Sequence, residues 1–224
     1  MRNIVIFGSS GHAKVILDSI KKEGKYKIVG FIDSYKCKDE VVCGYRILGT
    51  EDELPSLIDK LDIHGGIVAV GDNWQRKKFV ERILEHIPDF NFITVIHPKA
   101  VIDESSCIGK GSVIMANVVV NSECEIGDFC ILNTSSTLDH DGKMGQYSSL
   151  APGVCTGGQV VLKEFSAICL GAKVNSNITI GCHSVIGAGS LVMEGVDSYC
   201  VSYGTPAKKV RTRKAGDAYL TFNK

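Results

Sequence analysis

The sequence Asp139-His140-Asp141 closely follows the polar run Asn133-Thr134-Ser135-Ser136 in an otherwise regular, apolar stretch. Near pH 7 a neutral imidazole can take a proton from an attacking amine or hydroxyl, and a neighbouring carboxylate can fix its tautomer and stabilise the imidazolium. His140 is thus the candidate general base, Asp141 its partner, and Asn133 a candidate substrate-binding residue. A plain surface histidine at a corner is the competing reading. A second group lies near the N-terminus, where Gly8-Ser9-Ser10-Gly11-His12 joins the apolar segment Asn3 to Phe7 to a helical pattern over Gly11 to Lys22. Small residues at such a turn let a ligand approach the backbone, and the helix N-terminus favours an anion. Asp33 ends a second strand pattern, Tyr26 to Ile32, from which a carboxylate can accept hydrogen bonds from a nucleotide. A third segment, Gly66 to Val70, runs into Gly71-Asp72-Asn73, so the ends of three parallel strands would converge on one crevice. The turn is not GxGxxG, and a merely connecting glycine turn stays open beside the nucleotide reading. His12 is equally open between substrate contact and local capping.

The elements that must carry His140 announce themselves by a repeat. Every sixth residue from Ile102 to Val192 is apolar except Thr156. A helical face recurs every 3.6 residues and a strand every two, so a period of six calls for another geometry. In a hexapeptide β-helix each hexad makes one short strand and a corner, the aliphatic side chain points inward, and three hexads close a coil of 18 residues. Gly109, Gly127, Gly145, Gly181 and Gly187 directly follow inward positions and are expected to make the tight corners, often with positive φ. Stepping by 18 from His140 gives Ser122 below and Gly158 above, a stripe of small residues with room for a substrate. The Gly158 N–H, level with the histidine, could bind the oxyanion of a tetrahedral intermediate. The texture changes near residue 97. The expected architecture is an α/β, Rossmann-like domain over residues 1–96 and a left-handed parallel β-helix with a C-terminal tail over 97–224.

Composition narrows the function. The 25 basic and 25 acidic residues cancel, which gives no footprint for nucleic acid or an anionic membrane surface. No uncharged apolar run approaches the ~18 residues of a membrane span, and the start leads directly into a strand, so a cytoplasmic protein without a signal peptide is expected. Nine cysteines include no CxxC pair and cannot all pair internally, which predicts reduced, mostly packed thiols. Cys155 and Cys169 carry no mark of activation and are expected to be packing residues. Within the repeat the only histidines are His140 and His183, whose spacing is not a multiple of 18, so no metal site is expected.

These residues together resemble the PglD/NeuD-like sugar O- and N-acetyltransferases along nearly the whole chain. The resemblance rests on Gly8-Ser9-Ser10-Gly11-His12, Phe31-Ile32-Asp33, Ala69-Val70-Gly71-Asp72-Asn73 with Arg76, and Ile96-His97-Pro98. It continues through Leu132-Asn133-Thr134-Ser135-Ser136, His140-Asp141 and Gly204-Thr205-Pro206-Ala207-Lys208. It implies a homotrimer in which acetyl-CoA lies in a groove between neighbouring β-helices and a nucleotide-linked amino sugar reaches across from the N-terminal domain. On that basis Ser10, Gly11, His12, Asp33 and Gly71 would hold the nucleotide sugar. Gly158 would meet the thioester, Leu170, Gly171, Ala188 and Gly189 would offer backbone to pantetheine, and Pro206 would lie near the adenine. Two positions depart from the family pattern: Ser149 stands where some relatives carry a second histidine, and Asp72 where many have asparagine. The expected reaction is direct attack by the amine of a 4-amino-4,6-dideoxy sugar on acetyl-CoA, without an acyl-enzyme. O-acetylation of a sialic-acid-like sugar and a non-catalytic nucleotide-sugar scaffold are the alternatives; the His140-Asp141 pair argues against the scaffold. A β-helical carbonic anhydrase lacks its histidines here, and a nucleotidylyltransferase lacks its glycine-rich loop.

Overall fold

A computed structural model describes residues 1–220. The last four residues of the expected C-terminal tail lie outside them. In chain order the N-terminal elements are β1 (Arg2–Phe7), α1 (Gly11–Glu23), β2 (Tyr26–Ile32), β3 (Val41–Val42), β4 (Tyr45–Gly49), α2 (Leu54–Leu61), β5 (Ile63–Val68) and α3 (Asn73–His86). The sheet order is β3-β4-β2-β1-β5, with β4, β2, β1 and β5 parallel and β3 closing an antiparallel hairpin on β4. The expected β-α-β unit is therefore present, and β4 and α2 fill a stretch to which the sequence assigned no element. α1 ends at Gly24, which takes the left-handed conformation (φ 70°) and donates to Ile20 O. α3 begins at Asp72, whose carboxylate accepts from the N–H groups of Trp74 and Gln75 at 3.0 Å each. The family departure at position 72 thus caps a helix.

From Val95–Ile96, designated β6, onward the chain forms a left-handed parallel β-helix of two-residue strands. β6 pairs with Val113–Ile114, so the coil starts two residues before the expected boundary. Each member of the six-residue series is the second residue of its strand, and Ile114, Leu132, Leu150, Ile168 and Ile186 are all at or below 1% exposure. Three faces result. The first runs from Val95–Ile96 through Ser149–Leu150 to Val185–Ile186, and the hairpin Cys200–Gly204 with Ala207–Thr212 extends it. The second runs from Val101–Ile102 through Thr137–Leu138 to Leu191–Val192, and the third from Cys107–Ile108 through Lys143–Met144 to Thr179–Ile180.

The corners divide two tasks that the sequence had merged. Gly109, Gly127 and Gly145 have no positive φ; a Cβ on them would lie 2.5, 2.8 and 2.5 Å from a backbone nitrogen of the next coil. They are glycines because coils approach closely. Positive φ falls instead three places after each inward residue, in a series from Gly111 to Gly189 with φ between 55° and 69°. Most of that series is not glycine: Asn117, Phe129, Ser135, Asp141, Tyr147 and His183 all adopt it. A left-handed non-glycine residue costs roughly 1–2 kcal/mol, and here coil-to-coil bonds from the same residues offset it. Asp141 N donates to Ser122 O (3.0 Å) and Gln159 N to His140 O (2.8 Å).

The two domains are joined at the corner between the third and first faces. Phe92, Phe129, Tyr147, Phe165, His183 and Tyr199 form a column with successive ring centroids 4.6–5.3 Å apart. Trp74 at the start of α3 packs on Phe165 and His183. Arg76 is fully buried and donates to the carbonyls of Phe129, Tyr147, Val70 and Gly71 and to Asn73 Oδ1, at 2.7–3.1 Å. All five acceptors are neutral. Trp74 and Arg76 therefore fasten the domains together.

Candidate active site

His140 and Asp141 occupy the corner between the second and third faces. His140 Nδ1 lies 2.7 Å from Asp141 Oδ2, and the side chains are 55% and 49% exposed. The positive φ of Asp141 (57°) turns its carboxylate back onto the preceding residue. Asp139 is otherwise engaged: its Oδ1 accepts from the His140 N–H (2.9 Å) and from Asn121 Nδ2 (2.6 Å), bonds that hold its carboxyl below the usual range. The hydrogen bond that His140 donates to Asp141 raises the His140 pKa above the ordinary histidine value, and the charges of Asp139 and Asp141 add to it. With Nδ1 held by Asp141, Nε2 is the nitrogen left to exchange protons.

That nitrogen faces Gly158, one coil above. A Cβ on Gly158 would collide with Nε2 and Cε1 of His140 and come within 3.0 Å of Cδ2. Only glycine leaves the ring its place. At the same corner one coil below, the His140 N–H is taken by the Asp139 side chain. Gly157 has no such side chain, and among the described residues no acceptor pairs with the Gly158 N–H. A backbone donor beside an imidazole Nε2 can stabilise a developing oxyanion while the base moves a proton.

The remaining site residues form two cavities elsewhere. A cavity of about 460 Å³ lies at the carboxyl ends of β1, β2 and β5, lined by Gly8, Ser9, Ser10, Asp33, Gly71 and Arg82 among others. Asp33 braces this crevice: Oδ2 accepts from Ser9 N (2.9 Å) and Ser9 Oγ (2.5 Å), and Oδ1 from Tyr35 N (2.9 Å). Lys36 and Arg82 bring cationic groups to its rim, where they pair with Glu40 and Glu51. Sequence reasoning missed both cations, along with Gln75 and Phe79, although Gln75, Phe79 and Arg82 recur on one face of α3. Gly11 lines neither cavity.

The second cavity, about 500 Å³, lies between the N-terminal domain and the first face with its adjoining corner. It is lined by His12, Gly71, Asn133, Ser149, Leu170, Ala188 and Tyr219, and Gly71 separates it from the first. Leu170 is 56% exposed, and a Cβ at Gly171 or Gly189 would meet nothing within 4 Å, so these corners offer open backbone. His12 Nε2 is enclosed without a partner among the described residues; burial, helped by the charge of Arg76, lowers its pKa to about 4. Cys169 also lines this cavity, and burial raises its pKa, which opposes a thiolate nucleophile. The expectation of packed thiols is corrected at Cys37, Cys43, Cys107 and Cys155, which are exposed, although no cysteine is bridged. Pro206 sits at the tip of the C-terminal hairpin, between Gly204 and Ala207.

Within one chain, then, apart from Ser10 and Asp33 in the N-terminal crevice and Pro206 on the hairpin, the predicted residues around the β-helix fall into two sets. His140, Asp141 and Gly158 share one corner, while His12, Gly71, Asn133, Leu170, Gly171, Ala188 and Gly189 gather at the other end of the second face. Neither cavity includes His140. No group of three or more metal-ligating side chains occurs among the described residues.

Known proteins share this fold. Residues 3–83 match the family model of the PglD N-terminal domain. GDP-perosamine N-acetyltransferase of Escherichia coli is 29% identical over 77% of this chain and 78% of its own length. The crystal structure of PerB from Caulobacter crescentus in complex with CoA and GDP-perosamine aligns with TM-score 0.87 and 32% identity over 94% of this chain and 98% of that one. The acetyltransferase domain of PglB from Neisseria gonorrhoeae, in complex with acetyl coenzyme A, aligns with TM-score 0.86 and 31% identity over 93% and 99%. Sharing both domains with these enzymes at that identity and coverage, the chain belongs to the PglD-like family of sugar N-acetyltransferases.

Proposed function

We propose that the protein transfers the acetyl group of acetyl-CoA to the free amine of a nucleotide-linked amino-deoxy sugar of the 4-amino-4,6-dideoxy type. The observation that carries this reading is the Asp141–His140 pair placed beneath the unpaired N–H of Gly158, in a chain whose N-terminal crevice has a small-residue turn and a cationic rim. Ser10 and Gly71 line that crevice, Asp33 shapes it, and Lys36 and Arg82 face a diphosphate. The amine attacks the thioester carbonyl, His140 Nε2 accepts the amine's proton, and Gly158 N–H bonds the resulting oxyanion. Collapse of that intermediate re-forms the carbonyl and releases the CoA thiolate, to which the imidazolium can return the proton. No cysteine is required.

The two sets of residues meet if three chains assemble with their second faces toward a common axis. The corner bearing His140 then abuts the neighbour's corner bearing Asn133, Leu170, Gly171, Ala188 and Gly189, and acetyl-CoA is held between them with Pro206 toward its adenine. The outward residues support this packing: the second face presents Val101 (64% exposed), Val119 and Leu191 with one charge, Lys173, whereas the third presents Val161 with two, Glu125 and Lys143. The deciding assay is thiol release from acetyl-CoA with UDP-, dTDP- and GDP-linked 4-amino-4,6-dideoxy sugars and free sialic acids as acceptors. Turnover of one nucleotide amino sugar, lost in His140→Ala with acetyl-CoA binding retained, is expected. Turnover with a sialic acid alone would replace the reading by O-acetylation, and only monomer at micromolar concentration in sedimentation would remove the shared groove.

A further inference from the structure

The segment after the C-terminal hairpin is built into the cavity between the domains. Arg213 fixes its start: Arg213 N donates to Tyr199 O (2.8 Å) and Nη1 to His183 O (2.8 Å), while Nη2 bonds Asp217 O. A tight turn follows, with Lys214 N donating to Asp217 Oδ2 (2.8 Å) and Asp217 N to Lys214 O (3.2 Å). At its apex Gly216 has φ 83°, and a Cβ there would lie 2.9 Å from Trp74 Nε1. The turn is therefore seated on the first residues of α3, and the chain re-enters the molecule at Tyr219.

Tyr219 passes over the first face at Ser149, a small residue between Ile131 below and Ala167 above. Its hydroxyl accepts from Asn73 N at 3.3 Å, and Ser149 Oγ and Gly71 O both lie 3.5 Å away. The acceptor side of the hydroxyl is thus engaged, while its own proton has two distant partners at the limit of hydrogen bonding. Burial pushes the phenol up to about 12, so it keeps that proton throughout the working pH range. Across the same cavity stand the unpartnered Nε2 of His12 and the side chain of Asn133; the rest of the lining is largely aliphatic.

We propose that Tyr219 is a specificity-determining residue for the acceptor, donating its hydroxyl hydrogen bond to the sugar where the sugar crosses from the N-terminal crevice past Gly71 toward the β-helix. The inference rests on the proposed function and deepens it, since Gly71 is the one residue common to the nucleotide crevice and this cavity. A neutral hydrogen bond lost without cavity formation weakens binding by roughly fivefold to tenfold.

The test compares the full-length wild type with Tyr219→Phe, titrating by calorimetry the UDP-, dTDP- and GDP-linked 4-amino-4,6-dideoxy sugars against UDP, dTDP and GDP. The expected result is a roughly fivefold to tenfold loss for the sugar nucleotide alone, the bare diphosphates and acetyl-CoA binding unchanged. In turnover the acceptor KM should rise by more than kcat falls. Tyr219→Ala, which also removes the ring, should narrow the difference in acceptor KM between sugars that differ in ring hydroxyls. Equal losses for sugar nucleotide and bare diphosphate would make Tyr219 a structural wedge and overturn the proposal. Turnover by the wild type with Tyr219→Phe indistinguishable from it would overturn this inference and leave the function standing. Failure of the wild type to bind any sugar nucleotide would overturn both.

Discussion

Gly158→Ala puts one methyl group where the structure leaves none to spare. Gly158 has no positive φ, so alanine fits its backbone without strain. The new Cβ would lie in collision with Nε2 and Cε1 of His140 and 3.0 Å from Cδ2, and ordinary contact between such atoms begins near ~3.5 Å. The ring must retreat by about 1 Å. It can do so cheaply, because the His140 side chain is 55% exposed in the single chain. Retreat, however, draws Nδ1 off Asp141, breaking the 2.7 Å bond, and carries Nε2 away from the Gly158 N–H. A displacement of about 1 Å at a reacting group costs on the order of 10²-fold in rate. The expected outcome is therefore a kcat reduced about 100-fold, measured by thiol release on the preferred acceptor, with the melting temperature within ~2 °C of wild type. Acceptor binding, measured by calorimetry in the absence of acetyl-CoA, should be unchanged. A kcat within twofold of wild type would mean that Nε2 does not act beside Gly158, and the assignment of base and oxyanion donor would fall together.

Three further outcomes follow from the same geometry. Because Asp141 holds the His140 pKa above its ordinary value, the base is lost as pH falls through that raised value; Asp141→Asn should move the acidic limb of the kcat profile to lower pH while lowering its plateau. His12 behaves oppositely: its folded pKa of about 4 lies below the unfolded value near 6.5, so the unfolded chain binds the extra proton between them and stability falls as pH drops. Urea unfolding at pH 7.5 and pH 5 should show about 2 kcal/mol less dependence on pH in His12→Asn than in wild type. Arg76→Met strands four backbone carbonyls between the domains and should cost ~3 kcal/mol or more, read by calorimetry as a fall in melting temperature of roughly 6–12 °C.

Much of the β-helix was legible because its rule is one-dimensional: each aliphatic residue at a six-residue step is an inward side chain, whatever the rest of the chain does. The same step from His140 found Gly158, since a stacking period is also a distance. What the period does not encode is which corner residue takes positive φ. Glycine is the ordinary signal for that conformation, yet Phe129, Tyr147 and His183 adopt it here, paid for by ring stacking and coil-to-coil bonds that appear only once the coils are assembled. The fastening role of Trp74 and Arg76 was not legible for a similar reason: their partners lie tens of residues away, at Phe129, Tyr147, Phe165 and His183. Tyr219 gave no signal at all, because a tyrosine near a chain end has no period, and only the turn at Gly216 aims it inward.

On the proposed roles, the separation of the residues into two corners lets the acceptor side change while the base stays in place. His140, Asp141 and Gly158 depend only on stacking between adjacent coils, so their geometry is fixed by the repeat itself. The acceptor side depends instead on non-repetitive pieces: the loop at Gly71 held by Arg76, the turn at Ser10, and the segment that delivers Tyr219. Substitutions in those pieces can reshape the sugar's surroundings without disturbing the base. Changes at 219 or 149 should accordingly alter which acceptor is preferred before they alter the pH at which the base titrates, whereas changes at 141 or 158 should do the reverse. A Tyr219→Phe protein whose acidic limb moved as far as that of Asp141→Asn would show that the two corners are coupled, and the division of labour drawn from the single chain would fail.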